Sequence, residues 1–365
     1  MQSFGLTRNN DTYGGVLHNG LPHGEGVWTT DAGVRCTGTF VDGTRRGRVR
    51  GEYPDGAVYE GEWFDEQRHG QGTHTDAQGS VYTGDWQEDF QHGKGRCTYH
   101  DGAIYDGDWT LDHRDGHGTQ TDGGCEYVGE WNDDDMHGQG RSTYLDGTVY
   151  VGQWTLGRIH GAGVYTSADG STYEGGFVDG VKYGTGKFTG ADGVTYEGAF
   201  VNGEPHGIGT QRGRNGDFYS GDFSEGKMCG RGKLSIPSCK NERLPVDHED
   251  WKGTVYVGAF HANAAHGLGV LTYANGSSLD GDFQLWRPTA GVLTETDNSR
   301  YAVTYSGDCG RALGKPGPCS KTPLCLDSDD ERLTADGKRK AVDRVLTEHE
   351  TRKRAALSAA IQSGT

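Results

Sequence analysis

Apolar and polar positions follow a period of two within short segments, and those segments recur with a period of 23 residues. The phrase is clearest at Tyr59-Glu60-Gly61-Glu62-Trp63, followed by His69-Gly70-Gln71-Gly72. Its first position falls at Tyr13, Cys36, Tyr59, Tyr82, Tyr105, Tyr127, Tyr150, Tyr173, Tyr196, Tyr219, Tyr256 and Leu279, with a degraded further copy near Tyr301 or Tyr305. Nine of the eleven gaps between neighbouring copies are 23 residues. Two positions after each start stands a glycine, and four positions after it stands Trp or Phe in every copy but the first, which has Leu17. Side chains spaced 0, 2 and 4 share one face of a strand and not of a helix. A second glycine pair at strand spacing begins eleven positions on, as in Gly70 and Gly72 or Gly161 and Gly163.

Between the two strands lie segments such as Val178-Asp179-Gly180-Val181, where glycine supplies the positive φ of a hairpin turn. The link to the next copy also carries Asp-Gly or Asn-Gly, as at Asp55-Gly56, Asp101-Gly102 and Asn275-Gly276, a strong short-hairpin signal. The pattern predicts an antiparallel meander with one hairpin per copy. A 23-residue unit cannot bury a core of its own, so neighbouring units must stack. Glycine weakens a strand by roughly 0.5 to 1 kcal/mol relative to Ala. The regular phase of the 64 glycines points to a use: each leaves a slot in which Tyr or Trp from an adjacent strand lies. The aromatics expected to form this core are Tyr59, Trp63, Tyr82, Trp86, Tyr105, Trp109, Tyr127, Trp131, Tyr150, Trp154, Tyr173, Phe177, Tyr196 and Phe200.

The phrase Tyr-x-Gly-x-(Trp/Phe), then His-Gly-x-Gly, then Asp-Gly before the next Tyr, resembles the MORN repeat over about residues 13 to 300. The resemblance implies an elongated β-hairpin scaffold of the kind placed at cytoskeletal structures, cilia and membrane junctions. The expected fold is all-β: an elongated, twisted single-layer antiparallel hairpin solenoid with a short C-terminal α-helix. Twenty-four strands would extend about 115 Å at ~4.8 Å per strand and twist through more than one turn. The expected segments are a lead-in at 1–12, twelve to thirteen repeats at 13–307, a linker at 308–330 and a basic helical tail at 331–365.

Composition fits a thin sheet better than globular domains: 32% of residues are hydrophobic and the mean hydropathy is −0.76. No apolar run approaches the length of a membrane span, and the start lacks both a signal-peptide core and a glycine at position 2, so a cytoplasmic location is expected. The net charge is −17. Residues 336–365 carry seven Lys/Arg against four Asp/Glu, leaving −20 on the rest. An acidic body opposes binding to nucleic acid and adsorption of the whole sheet to anionic lipid. Eight cysteines show no Cys-x-x-Cys pair and are read as free thiols, with Cys309, Cys319 and Cys325 the one group able to gather.

Three departures from the repeat mark where individuality is expected. A 14-residue insert, within about 233–255, contains Lys240, Arg243 and Trp251, and an isolated Trp in a polar loop is a typical interface anchor. The aromatic at the fifth position is Trp from Trp63 to Trp154 and Phe from Phe177 to Phe283, dividing the repeats near residue 165. The tail from about Lys338 to Ile361 has no Gly or Pro and reads as a helix bearing Lys338, Arg339, Lys340, Arg344, Arg352, Lys353 and Arg354. Such a helix caps the open strand, pairs in a homodimer or meets an anionic surface.

Chemistry finds little purchase. Seven copies place His before the glycine pair, at His23, His69, His92, His137, His160, His206 and His266. Equivalent residues of successive hairpins lie about 9.6 Å apart, too far to share a metal, so each His is expected to tie its loop by a hydrogen bond. The Gly-x-Gly pairs open no helix and cradle no phosphate. Asn132-Asp133-Asp134-Asp135 lacks calcium-loop spacing and reads as a solvated turn. No catalytic, cofactor or metal residues are assigned. The outward strand positions hold eleven acids, Glu60 and Asp106 among them, against six bases such as Lys94, Arg96 and Arg141, which reads as a solvated face or a docking strip for a basic partner. The expected role is a non-catalytic scaffold or spacer of a cytoskeletal or ciliary/flagellar assembly, working through protein contacts. The alternative is a membrane-junction adaptor that binds phosphoinositide-containing membrane through loops and the basic tail.

Overall fold

A computed structural model describes residues 3–6, 11–237, 251–305 and 320–323, and their regular structure is antiparallel β throughout, with no α-helix among them. Lys240, Arg243 and the seven basic tail residues from Lys338 to Arg354 lie outside the described residues, as do Cys239, Cys309, Cys319 and Cys325 and the expected C-terminal helix. The strands fall into two units, residues 1–168 and 169–365, divided between the last Trp-bearing and the first Phe-bearing copy.

The first unit opens with β1 (Ser3–Leu6), β2 (Thr12–His18), β3 (Leu21–Thr29), β4 (Arg35–Val41), β5 (Thr44–Glu52), β6 (Val58–Phe64) and β7 (Gln67–Thr75). It continues through eight more strands, ending in β12 (Cys125–Asn132), β13 (Asp135–Thr143), β14 (Val149–Thr155) and β15 (Arg158–Thr166). Each strand pairs with the next in sequence, so the unit is a meander of seven hairpins preceded by β1, which occupies part of the expected lead-in. The second unit runs from β16 (Thr172–Val178) and β17 (Val181–Thr189) to β26 (Arg300–Thr304) and β27 (Ser320–Pro323), again pairing in sequence order. β27 lies within the segment that Pro and Gly mark as a linker, and it adds a strand to β26.

Within each copy the turn between strands has two residues, both left-handed, as at Asp65 (φ 49) and Glu66 (φ 68) or Asp179 (φ 48) and Gly180 (φ 82). Such turns match the right-handed twist of the flanking strands. The connection between copies is different. Tyr53–Ala57 is a five-residue link in which Gly56 N donates to Tyr53 O at 3.0 Å and Asp55 Oδ1 accepts from Ala57 N at 3.0 Å. Asp-Gly therefore marks a side-chain-capped turn here and not a two-residue hairpin.

The core is one ring thick. Tyr59 and Trp63 are 0% and 4% exposed, with Gly61 between them on the same face. The tyrosine ring lies flat across its own strand's Gly61 and the partner strand's Gly72, so that a Cβ on either glycine would fall 2.6 Å from Tyr59 Cζ. The same overlay recurs at Tyr105 with Gly107 and Gly118, and at Tyr173 with Gly175 and Gly186. The expected slots exist: the one at Gly72 is filled from the adjacent strand by Tyr59, as expected, while the one at Gly61 is filled by the same ring from its own strand. The ring's polar end is satisfied, since Tyr59 Oη donates to Glu62 O at 3.0 Å and Tyr105 Oη to Asp108 O at 2.9 Å.

The Trp side chains fill the space between tyrosines. Tyr59 meets Trp63 at 5.4 Å and Trp86 at 5.2 Å, both edge to face, and the alternation continues through Tyr82, Trp109, Tyr105, Trp131, Tyr127 and Trp154. Each contact contributes about 0.5 to 1.5 kcal/mol beyond its buried area. Trp86 and Trp109 also donate Nε1–H to Gly72 O and Gly95 O at 3.3 and 3.0 Å. In the second unit Phe takes the Trp place and comes closer, 4.9 Å for Tyr173–Phe200 and Tyr196–Phe223. A smaller ring without an N–H to direct allows the shorter contact.

Candidate interaction surface

Three tiers of side chains lie outside the ring stack: the turn edge, the bulge acids and the open face. At the turn edge, the second turn residue of one hairpin bonds the preceding hairpin. Asp89 N donates to Arg68 O at 3.1 Å, and Arg68 N donates to Asp89 Oδ1 at 2.9 Å. Where this residue is Glu66, Asp89 or Asp134, its left-handed φ is strained for a side chain, and the carboxylate offsets the strain by holding an arginine. Arg45, Arg68 and Arg114 pair with these carboxylates and stack over Trp63, Trp86 and Trp131 at 3.9, 4.2 and 4.4 Å. Asp134, expected in a solvated turn, is instead bonded to Arg114 and His113, which hold its carboxyl below the usual range against the opposing effect of burial.

The bulge acids occupy a position read from sequence as part of an acidic strip. A register shift follows the central glycine in each hairpin, between Gly61 and Glu62 in the third. The acid beyond it turns back to accept from the backbone: Asp85 Oδ2 from Lys94 N at 2.8 Å, Asp108 Oδ2 from His117 N at 2.8 Å, Glu130 Oε1 from Gln139 N at 2.9 Å. These carboxylates are spent on the fold. Two of the expected cross-strand pairs form, Lys94 Nζ–Asp108 Oδ1 at 2.6 Å and Arg96–Asp106 at 3.1 Å.

His92 and His137 differ from expectation. The loop tie is made by the backbone, with Tyr82 Oη reaching His92 O at 3.4 Å and Tyr127 Oη reaching His137 O at 3.3 Å. The Nδ1 atoms of His92 and His137 are buried without a hydrogen-bond partner. His23 alone of these three ties through its ring, accepting from Asp42 N at 3.4 Å.

Trp251 is also corrected as an exposed anchor. It is 6% exposed and packs against Tyr256, Phe283 and Trp286 at 5.7, 6.1 and 5.3 Å. Its carbonyl accepts from Thr254 N and Oγ1, turning the chain into the next strand. A Trp near a repeat start is drawn into the ring stack because that is where apolar surface is available.

The open face presents what remains. Register places Val128 beside Arg141, Arg141 beside Val151 and Val151 beside Val164 on four consecutive strands, β12 to β15. The three valines are 44%, 45% and 40% exposed. From residue 60 to residue 119 this row holds Glu60, Thr73, Thr83, Arg96, Asp106 and Thr119, and before it Val27, Thr37 and Arg50. Sequence reading passed over the valines because β-branched residues suit any strand; Val128 and Val151 in place of Glu60 and Asp106, and Val164 in place of Thr73, at the same repeat positions were the available signal. A second missed feature is β5, with Arg45, Arg46, Arg48 and Arg50 on one strand of an acidic chain. Arg46 lies over Phe64 at 5.2 Å, while Arg48 and Arg50 reach Glu60 at 3.8 and 3.3 Å.

The MORN repeat family model matches residues 13–35, 59–81, 82–104, 105–124, 127–149, 150–172, 173–195, 196–218, 219–238 and 256–278. The copies beginning at Cys36 and Leu279, which lack the tyrosine, are unmatched although both form hairpins. Comparison with curated proteins gives no match. Among solved structures, the chain is similar to the TCP10c domain of Drosophila melanogaster Sas-4, at 13% identity and TM-score 0.26, covering 47% of this chain and 96% of that one. It is also similar to the TCP10 domain of Danio rerio CPAP, at 14% identity and TM-score 0.21, covering 63% and 91%, and to a streptogramin B lyase, at 11% and 0.13, covering 77% and 91%. At these TM-scores the structural likenesses carry no argument. With ten matched copies spread from residue 13 to residue 278, on hairpins built around the repeat's own tyrosines and glycines, the chain belongs to the MORN repeat family.

Proposed function

We propose that this chain is a non-catalytic scaffold of a cytoskeletal or ciliary/flagellar assembly in the cytoplasm, acting through protein–protein contacts. MORN repeats generally mediate such contacts. The observation that carries the reading is the row Val128, Arg141, Val151 and Val164: three exposed valines around one arginine on four consecutive strands, following a stretch of the same row from Glu60 to Thr119 that is charged or hydroxylated. A partner that buries three valines around one guanidinium gains apolar contact and a directional charge together. The acidic remainder of the body, at −20 outside residues 336–365, opposes nucleic acid as that partner.

The test is location and extraction of a tagged full chain in cells. The expected outcome is a detergent-resistant pool at a cytoskeletal or ciliary structure, released when Val151→Asp and Val164→Asp are introduced together without loss of β structure by circular dichroism. Complete detergent extraction of the wild-type chain overturns the reading.

A second reading, an adaptor for phosphoinositide-containing membrane, is favoured by the arginines of β5, among which the Arg48 side chain is 79% exposed. Salt-sensitive flotation with liposomes that is abolished by Arg46→Glu and Arg48→Glu supports it, and flotation indifferent to them removes it. A homodimer formed through the C-terminal end is checked by light scattering with and without residues 331–365.

A further inference from the structure

We propose that His18, His23 and Asp42 form a binding site for a divalent transition-metal ion of the zinc class, bridging the first two hairpins. His18 closes β2, His23 stands early in β3 beyond the turn Asn19–Gly20, and Asp42 is the first turn residue of the β4–β5 hairpin, held at φ 47. Each offers one ligand atom, and the three atoms lie within 4.8 Å of one another. His18 Nδ1 is 3.1 Å and His23 Nδ1 is 3.4 Å from Asp42 Oδ1. Nitrogen and oxygen ligands about 2.0 to 2.2 Å from a tetrahedral zinc stand roughly 3.4 Å from each other. The donor spacing is thus already close to that of a coordination tetrahedron's edge, and an ion replaces the proton between His18 and Asp42 and the long contact that His23 Nδ1 accepts from Asp42 N.

The donors also face the right way. Asp42 N donates to His23 Nδ1, so the lone pair of that nitrogen points toward the turn carrying Asp42. Two imidazoles and one carboxylate are the donor set that suits zinc, and they leave a coordination position for water or a partner's side chain. The spacing that separates equivalent histidines of successive copies does not apply, because these ligands occupy three different repeat positions.

The arrangement is particular to this place. Only one other copy carries His at the same two positions, His261 and His266 with rings 5.7 Å apart, and there the residue equivalent to Asp42 is Leu285. That pair is an internal control. The experiment is calorimetric titration of the full chain with zinc chloride, with cobalt(II) absorption as a second readout. The expected result is binding of one ion that weakens at least about tenfold in both His18→Ala and His23→Ala and is unchanged in His266→Ala, with a cobalt spectrum of nitrogen and oxygen ligation. All three histidines lie at the sheet margin, and circular dichroism establishes that each variant keeps its β structure. The proposal is overturned if no ion binds at about 100 µM free zinc, if both His variants bind as the wild type does, or if the cobalt spectrum shows thiolate ligation alone.

Discussion

Gly72→Ala tests the ring overlay most directly. Gly72 has an extended backbone that any residue adopts, so the substitution introduces no φ strain. The new Cβ would stand 2.6 Å from both Cζ and Cε2 of Tyr59, and the ring must leave the slot. Overpacking of this kind costs about 1 to 3 kcal/mol, and losing the bond from Tyr59 Oη to Glu62 O adds about 1 kcal/mol. The sum is about 2 to 4 kcal/mol. Repeat arrays need not unfold in one step, so the assay is local: hydrogen exchange read by mass spectrometry over β6 and β7, where this loss lowers protection by about 30- to 700-fold. In a Tyr59→Ala background there is no ring to displace, and adding Gly72→Ala then costs close to nothing. Gly79→Ala is the contrast, since Gly79 sits at φ 95 with nothing within 4 Å of an added Cβ. Its cost, about 1 to 2 kcal/mol of backbone strain, is independent of Tyr59. Equal losses from Gly72→Ala with and without the Tyr59 ring, or no loss at all, would refute the overlay as the reason for these glycines.

Arg68→Ala removes a guanidinium that both stacks on Trp86 and pairs with Asp89, and should lower local stability by about 1 to 2 kcal/mol; Arg68→Lys restores little because ammonium lacks the planar fork. Its check is hydrogen exchange at the turn of residues 87–90. Trp251→Ala should destabilise the second unit by about 3 to 5 kcal/mol, as a buried aromatic does, measured by thermal unfolding. Burial pushes Tyr99, Tyr150 and Tyr173 up to about 12, so the folded chain holds these protons while the unfolded chain releases them near pH 10. Their contribution is complete below pH 10 and is lost as pH rises toward 12, so tyrosinate absorbance should appear together with loss of β circular dichroism. Gradual tyrosinate formation in an intact sheet would contradict it.

The sequence by itself determined the strand period, the pairing order and the buried face. Tyr, Gly and Trp at 0, 2 and 4 allow no helix, and 23-residue units must stack, so the hairpin array was legible without coordinates. Which ring fills which slot was not, because a tyrosine can lie over its own strand's glycine or a neighbour's, and only three-dimensional register brings Gly61 and Gly72 together beneath Tyr59. The outward acids looked uniform in sequence. Tertiary structure divided them, since the register shift frees a backbone amide that Asp85 and Asp108 bind, while Glu60 and Asp106 stay on the open face. Trp251 read as an interface anchor because its sequence neighbours are polar, yet burial depends on the rings of Tyr256, Phe283 and Trp286, contributed by later strands and a later turn. The exposed valines and the His18, His23 and Asp42 cluster were hidden for the same reason: each joins residues of separate strands or turns, a proximity that exists only after the hairpins have paired.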